Sequence, residues 1–473
     1  MNIAAEIAAA RGRAAEAESL YREVAGSASE DPGPALNARA GLASLYASRG
    51  QNKRARAEYA ATIALAEAQR DRPLDDRFKL PWSSSLTRFY RGYVEFLIAR
   101  GDLSGALAVA DSTRSRMLLN SGHPPLATAA SYRDIARRAQ SVILAYWLAP
   151  ERSYLWEITS DGIRLHTLPG SSSIRALVAA HNGAIAGSRN PLEIEAAAGQ
   201  RLWDVLISPA AATIARIPRV ILVPDGPICS LNLESLPVPG SHPHYFVEDA
   251  SITVAPALWL LRPARSLPSA HASLLLAGDP EPSGPEFPRL TYAKQEIEQI
   301  EQHFNGMQQV VLQGAAATRD AWLGAGPGKY SMLHFAGHAA SNPISPLQSA
   351  LVLSPGAGGH LLTAADVMNL HLNANLVTIS ACRGAGSRIY SGEGLVGLTW
   401  SFLRAGARGV IAGLWDVPDR PTAMLMGSLY QRLAAGERPQ EALRDAKLAM
   451  LRSGPASSKP NNWAAFQYYS STY

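Results

Sequence analysis

Cys382 and His338 are the two residues of this sequence whose types and spacing could do chemistry. The Cys lies in Ser-Ala-Cys-Arg-Gly (380–384), and the His ends the segment Leu-His-Phe-Ala-Gly-His (333–338), 44 residues earlier. A thiol attacks a carbonyl carbon efficiently only as the thiolate, and a nearby imidazole can take its proton and return it to a leaving amine. Because no third orienting group is evident, the pair predicts a Cys–His dyad that cleaves peptide bonds.

From residue 272 onward, short apolar runs alternate with amphipathic segments. This alternation predicts a parallel sheet with helices on both faces, where function gathers at the carboxyl ends of the strands. His338 and Cys382 each come just past a predicted strand, so two strands can present them side by side at one rim. Strands are predicted at 274–276, 310–312, 332–336, 376–379 and 409–414, and helices near 291–304, 318–323, 363–370, 394–405, 420–434 and 439–452.

Residues 1–120 are rich in Ala, Arg, Glu and Leu and contain a repeated helical pattern. Gly12, Ala17 and Tyr21 recur at the same offsets in two later segments that begin at Gly50 and Gly101, the third with Ala in place of Tyr. The pattern resembles tetratricopeptide repeats, in which small residues let paired helices approach and an aromatic side chain fills the gap between units. An Ala-rich helical bundle is the alternative interpretation.

The middle of the chain, residues 121–268, carries strand signals and no residue pattern that suggests catalysis. Strands are predicted at 142–147, 154–158, 163–166 and 220–223, with a hairpin turn at Asp161-Gly162. The segment 263–269 contains Pro and Ser and is typical of a linker. We therefore expect three parts: helical repeats (1–120), a non-catalytic part (121–268) and a catalytic part (269–473).

The composition limits the classes of function. Apolar residues make up 47% of the 473 residues and charged residues 18%, with a formal net charge of +5. No Lys/Arg cluster alternates with aromatic residues, so we expect no direct nucleic-acid partner. Two Cys residues without metal-like spacing predict a reduced, cytoplasmic protein with no cofactor and no metal. We expect neither a signal peptide nor a transmembrane segment, because the sequence has no long apolar run.

Three other patterns compete with the dyad. His334 is an alternative base, but it lies inside a predicted strand, and a packing role is favoured. His334 and His338 are spaced like zinc ligands on a helix, but the local pattern is a strand with no suitably placed Glu. The segment 392–397 matches Gly-x-Gly-x-x-Gly without the strand that a dinucleotide site needs directly before it. Cys229 is expected in the core.

Asp416 and Asp419 follow the strand predicted at 409–414. Either carboxylate could lie near the rim and select a substrate Arg or Lys through charge-assisted pairs. Turn and helix-cap chemistry around Pro418 is the alternative, and on the residues alone it is slightly favoured.

Many further segments resemble the CHAT domain, a caspase-like family found with tetratricopeptide repeats in bacterial proteins. The Cys segment also matches four of five positions of the caspase pattern Gln-Ala-Cys-Arg-Gly, with Ser380 in place of Gln and a His about 50 residues upstream. The resemblance covers 111–119, 222–227, 276–280, 316–320, 350–355, 361–366, 392–394, 405–408 and 463–466.

The resemblance implies a caspase-like α/β fold, with His338 as base and Cys382 as nucleophile of a peptidase. In separases, which belong to the same clan, an acidic residue in a similar segment selects a substrate Arg. This resemblance keeps Asp416 and Asp419 as candidates for the substrate pocket. The family usually has Gly after the catalytic His, where this chain has Ala339. The backbone N–H groups of Ala339 and Cys382 are the candidates for the oxyanion hole.

The sequence therefore predicts a bacterial cysteine endopeptidase whose helical repeats bind a protein partner or substrate and control activity. A role in defence or cell death follows only by analogy with the family. The alternative is a catalytically silent caspase-like scaffold for protein–protein interaction. The presence of both His338 and Cys382 favours the enzyme.

Overall fold

The computed structural model describes residues 1–27, 31–70, 76–118, 127–193, 197–264, 272–381, 384–386, 388–455 and 457–473. These residues divide into two compact units, one formed mainly by Met1–Met117 and the other mainly by Ala130–Ile389 and Gly394–Tyr473. The three-part division predicted above stays a prediction, because both of its boundaries, near 120 and 268, fall outside the described residues.

The first unit consists of three helix pairs. Each pair is joined by a tight turn in which Gly12, Gly50 or Gly101 has a φ of 74°, 69° or 75°. This left-handed backbone favours glycine, since a side chain there would be strained. The helices are α1 (Asn2–Ala10), α2 (Ala14–Gly26), α3 (Gly33–Ser48), α4 (Asn52–Arg70), α5 (Asp76–Ala99) and α6 (Leu103–Ser112).

An aromatic ring fills the space between successive pairs. A Cβ built on Gly41 of α3 would lie 2.4 Å from the Tyr21 ring, and one on Gly92 of α5 would lie 3.2 Å from the Tyr59 ring. Each Tyr of one pair therefore packs against a glycine in the first helix of the next pair. This packing and the glycine turns confirm the predicted tetratricopeptide-like region.

The second unit is built around an eleven-stranded sheet with helices on its faces. Its strands are β1 (Val142–Trp147), β2 (Arg152–Ile158), β3 (Ile163–Pro169), β4 (Arg219–Val223), β7 (Ser251–Val254), β8 (Ser273–Gly278), β9 (Gln308–Gln313), β10 (Met332–Ala336), β14 (Leu376–Ser380), β17 (Gly409–Gly413) and β18 (Phe466–Ser470). Short strands outside it are β5 (Pro237–Val238), β6 (His244–Tyr245), β11 (His338–Ala340), β12 (Ala350–Val352), β13 (Leu361–Thr363), β15 (Arg388–Tyr390) and β16 (Gly394–Val396).

The helices beyond the repeats cover the sheet. They are α7 (Ala129–Ala139), α8 (Ser171–Ala186), α9 (Ala197–Leu202), α10 (Ala211–Ile214), α11 (Ala293–His303), α12 (Arg319–Gly324), α13 (Ala364–Met368), α14 (Leu398–Ala405), α15 (Asp419–Ala434), α16 (Pro439–Arg452) and α17 (Pro460–Trp463). The predicted helix near 394–405 is wrong at its start. Gly394 has a φ of 77° and belongs to β16, and the helix begins only at Leu398.

The strand order of the sheet is β3-β2-β1-β4-β7-β18-β17-β14-β10-β8-β9. The five strands β17-β14-β10-β8-β9 of this sheet run parallel to one another, as do β1, β4 and β7. The antiparallel β1–β2 and β2–β3 pairs extend one edge. β18 runs parallel to β7 but antiparallel to β17. The sheet is therefore mixed: two parallel sets run in opposite directions and meet at β18. The predicted caspase-like α/β architecture is confirmed.

A buried ion pair holds β18 in place. Lys447 of α16 is fully buried and bonds to the carboxylate of Glu234, and its Nζ also donates to the carbonyl of Phe466 at 2.6 Å. Asn232 donates to the carbonyl of Ala464 at 2.6 Å, just before the strand. These contacts fix the start of β18 against the segment that follows β4.

Replacing Glu234 with Ala should destabilise the protein by about 3–5 kcal/mol, because it leaves the Lys447 ammonium buried without its counter-charge. The double variant Glu234→Leu/Lys447→Met removes both charges and should recover most of that loss. Chemical denaturation of the two variants beside the wild type measures the difference. Equal losses in the two variants would show that the unpaired Lys447 ammonium is not the cause of the destabilisation.

Candidate active site

Two adjacent parallel strands bring the His segment and the Cys segment to one rim of the sheet. β10 and β14 pair in register, with Ala336 opposite Ser380, the last residue of each strand. The N–H of Gly337 then donates to the Ser380 carbonyl at 3.2 Å. In the sequence, His338 and Cys382 each come two residues after these paired strand ends.

Cys382 and Arg383 lie outside the described residues, but both flanks of this short segment are described. Ala381 is buried at the end of β14. On the other side, the N–H of Ala385 donates to the carbonyl of Gly413, the last residue of β17, at 2.9 Å. The segment is thus bounded on one side by β14 and on the other by a residue bonded to β17.

The imidazole of His338 is partly exposed and has a defined partner. Its Nε2 lies 2.6 Å from the backbone carbonyl oxygen of Pro288, and its ring centroid lies 5.8 Å from that of Phe287. A carbonyl can only accept a hydrogen bond, so Nε2 carries the proton. The neutral ring then has its lone pair on Nδ1, where it can serve as a base.

A shallow depression, open to solvent, borders His338 and Ala381. Asp419 and Glu296 are its acidic lining residues among those described, and Asp416 is not among them. The depression is lined by Leu290, Ala293, Glu296, Ala336, Gly337, His338, Ser380, Ala381, Val417, Asp419, Thr422 and Phe466. Asp419 is the first residue of α15, and its Oδ2 accepts the N–H of Tyr292 at 2.8 Å.

His334 is fully buried in β10, away from the rim. Its Nε2 lies 2.8 Å from Oε1 of Glu296, and its Nδ1 lies 3.0 Å from the hydroxyl of Tyr430. That hydroxyl in turn bonds to Thr378 at 3.0 Å, and burial raises the pKa of Tyr430, which keeps the phenol protonated. His334 thus has both ring nitrogens engaged in the core, a position that suits the predicted packing role and not contact with a substrate.

The remaining candidates are placed as follows. Ala339 lies in β11 opposite Leu351 and directly follows His338. The role of its N–H as an oxyanion donor stays a prediction. Cys229 is buried. Among the described residues, no three His, Cys, Asp or Glu side chains gather in a way that could hold a metal ion. In the same part of the chain, no helix is both long and apolar enough to cross a membrane.

Sequence reasoning missed two contributors to the site. The Pro288 acceptor is a backbone carbonyl, and no residue type marks such a group. Glu296 did leave a signal, because it lies on the same helical face as Ala293, Ile297 and Ile300, all buried. An acidic residue on an apolar helical face needs a partner inside the protein, and here that partner is His334.

Comparison with known proteins places these features in a family. Residues 196–471, more than half of the chain, match the CHAT domain. Tetratricopeptide repeat protein 28 of Mus musculus and of Homo sapiens are 40% and 38% identical over 106 residues, which are 22% of this chain and 4% of each relative. The chain thus spans only a small fraction of these curated relatives.

A solved structure supports the fold. The separase–securin complex of Saccharomyces cerevisiae superposes with a TM-score of 0.52 at 12% identity, over 88% of this chain and 37% of that one. At this identity the likeness concerns the fold alone. The match over residues 196–471 agrees with the large mixed sheet that has His338 at its rim. The chain therefore belongs to the CHAT domain family, and tetratricopeptide-like repeats precede its CHAT domain in the sequence.

Proposed function

We propose that this protein is a cysteine endopeptidase with Cys382 as nucleophile and His338 as general base. The in-register pairing of β10 with β14 carries the proposal, because Ala336 and Ser380 end these strands side by side. The two reactive residues follow those ends by the same number of positions. A depression suited to a substrate side chain borders the same rim.

The proposed chemistry assigns a task to each nitrogen of the imidazole. Nδ1 of His338 takes the thiol proton of Cys382, and the thiolate attacks the scissile carbonyl carbon. Nε2–H stays bonded to the Pro288 carbonyl, which orients the ring and interacts favourably with the imidazolium. The imidazolium then protonates the leaving amine, and water hydrolyses the thioester to release the acid and restore the thiol.

The oxyanion of each tetrahedral intermediate needs donors that are already in place. We propose the backbone N–H groups of Ala339 and Cys382 for this task. Ala339 follows the base directly, and β11 is held in a three-stranded sheet with β12 and β13. That pairing limits the movement of the backbone beside His338.

The depression beside His338 suggests that the residue before the cleaved bond is basic. Among the described residues, its lining includes the acidic residues Glu296 and Asp419 and no Lys or Arg. Glu296 is already bonded to His334, whereas Asp419 is partly exposed. We therefore propose Asp419, in preference to Asp416, as the residue that pairs with a substrate Arg or Lys.

The helical repeats are proposed to bind a protein partner or substrate and thereby control activity. Stacked helix pairs form an extended surface of the kind that repeat proteins use for binding. The similar yeast structure is itself a complex of separase with securin. A cytoplasmic role in bacterial defence or cell death is the setting that the family resemblance suggests.

Cleavage of a mixed peptide library tests the enzyme. Cys382→Ala should abolish cleavage, and His338→Ala should lower kcat/KM by about 100- to 10,000-fold, because the thiol loses its base. Cys229→Ala is the matched control, since that Cys is buried and does not line the depression, and its loss should leave cleavage unchanged. Products are identified by mass spectrometry.

If the library is not cut, labelling with a thiol-reactive peptide mimic distinguishes an enzyme from a catalytically silent scaffold. The enzyme should be labelled at Cys382 in a pH-dependent way that His338→Ala suppresses. Cleavage by Cys382→Ala, or labelling that is unchanged in His338→Ala, would count against the dyad.

The proposed role of Asp419 is tested with substrates that differ in the residue before the cleaved bond. Asp419→Asn should lower kcat/KM for cleavage after Arg or Lys by about 10- to 100-fold, as expected for loss of a hydrogen bond between charged groups. Asp416→Asn is the matched control and should have little effect, since Asp416 does not line the depression. A wild-type preference for apolar residues would rule out the acidic selector.

A further inference from the structure

A loop without regular secondary structure starts at the end of β8 and returns to the imidazole of His338. It covers residues 279–289, here called the 279–289 loop, and contains prolines at 280, 282, 285 and 288. Near its start, the N–H of Glu281 donates to Ser354 Oγ at 2.9 Å. Near its end, the Pro288 carbonyl accepts from His338.

Asp279 and Arg289 close this loop at its base. Nε of Arg289 donates to Oδ1 of Asp279 at 2.9 Å, and Nη2 donates to Oδ2 at 2.6 Å. This two-point contact fixes the relative orientation of both groups, which a single contact would not do. The Asp279 side chain is 2% exposed, whereas that of Arg289 is 53% exposed. The pair is therefore anchored in the protein at the Asp279 end.

The anchor is bonded to β10, the strand that ends two residues before His338. The N–H of Asp279 donates to the carbonyl of Ala336, the last residue of β10, at 3.1 Å. Asp279 also has a φ of 50°, a left-handed conformation that costs free energy and that its surroundings must maintain. A closed circuit of contacts results, from Ala336 through Asp279 and Arg289 to the Pro288 carbonyl and back to His338.

We propose that the Asp279–Arg289 ion pair positions the imidazole of His338 by holding the Pro288 carbonyl at its Nε2. The inference rests on the proposed function, in which His338 is the base. Arg289 follows Pro288 directly, so the ion pair restricts the peptide unit that bears the accepting oxygen. Without it, the nearest side-chain anchors of the backbone on either side of Pro288 are at Glu281, seven residues earlier, and at Tyr292, four residues later. Nε2 would then lose its fixed acceptor, and the ring would sample both tautomers and other orientations.

The test compares Arg289→Gln and Arg289→Lys with the wild type. Arg289 is half-exposed, so neither change opens the core, and Lys keeps the charge while losing the fork that contacts both oxygens. Arg319→Gln is the matched control. It removes another ion pair, from Arg319 to Asp366 at 3.0 Å, which shares no residue with the 279–289 loop.

The first measurement is the ring-nitrogen NMR spectrum of His338 in protein labelled with ¹⁵N at His, assigned by the loss of its signals in His338→Gln. The wild type and Arg319→Gln should show the tautomer protonated at Nε2. Arg289→Gln should show a mixture of tautomers, with Arg289→Lys in between. This readout needs no activity, and a general loss of stability would not produce it.

The second measurement is steady-state cleavage. Arg289→Gln should lower kcat roughly 10- to 100-fold with KM within about twofold, because the misplaced base affects the chemical step and not substrate binding. Arg289→Lys should recover part of the loss, and Arg319→Gln should match the wild type.

An unchanged tautomer in Arg289→Gln overturns the positioning role, whatever the kinetics show. A shifted tautomer with kcat unchanged also overturns it, because the ring would then not need its acceptor for catalysis. If the wild type cuts no peptide or Cys382→Ala cuts as well as the wild type, the proposed protease fails, and the tautomer alone decides whether the ion pair holds the ring.

Discussion

The buried contact between Lys447, Glu234 and the Phe466 carbonyl holds the last strand of the chain between two halves of a sheet that run in opposite directions. Because β18 pairs antiparallel with β17, it completes the hydrogen bonding of a strand that would otherwise be an open edge. β17 pairs in turn with β14, which precedes the Cys segment. The geometry of the rim thus depends on a charge pair buried on the far side of β17.

The sequence was informative where a single physical rule dominates. Buried parallel strands are apolar throughout, so β1, β4, β8, β10, β14 and β17 could be recognised from short apolar runs. The repeats were visible because a left-handed turn favours glycine and a tyrosine ring needs a small neighbour. The position of His338 at a strand end followed from the same rules.

Other features were invisible because they depend on partners distant in sequence. Strand β18, with the sequence Phe-Gln-Tyr-Tyr-Ser, contains polar residues, and only its place between β7 and β17 makes it a buried strand. The orienting group for His338 is a main-chain oxygen 50 residues away. The choice between Asp416 and Asp419 needed the start of α15, which brings only Asp419 to the depression. Residue types alone do not distinguish two Asp residues that are three positions apart.

The two carboxylates at the depression occupy different environments. Glu296 is buried, and its bond to His334 leads through Tyr430 to Thr378 on the neighbouring strand. Asp419 lies at the amino-terminal end of α15, where the helix dipole favours a negative charge, and it also accepts a backbone N–H. The first carboxylate therefore belongs to a network that connects α11, β10, α15 and β14. The second is partly exposed, as the proposed pairing with a substrate Arg or Lys requires.

The four prolines of the 279–289 loop bear on the entropy of the site. Each proline fixes one φ angle before the chain folds, so ordering the loop costs less conformational entropy than an ordinary loop of that length would, by about 0.4–1 kcal/mol per proline. A stiff loop also leaves the Pro288 carbonyl fewer alternative positions once the Asp279–Arg289 pair closes its base. The order around the imidazole is thus partly present in the unfolded chain. Ordering the loop around the imidazole therefore subtracts little from the small free energy of unfolding of the folded protein.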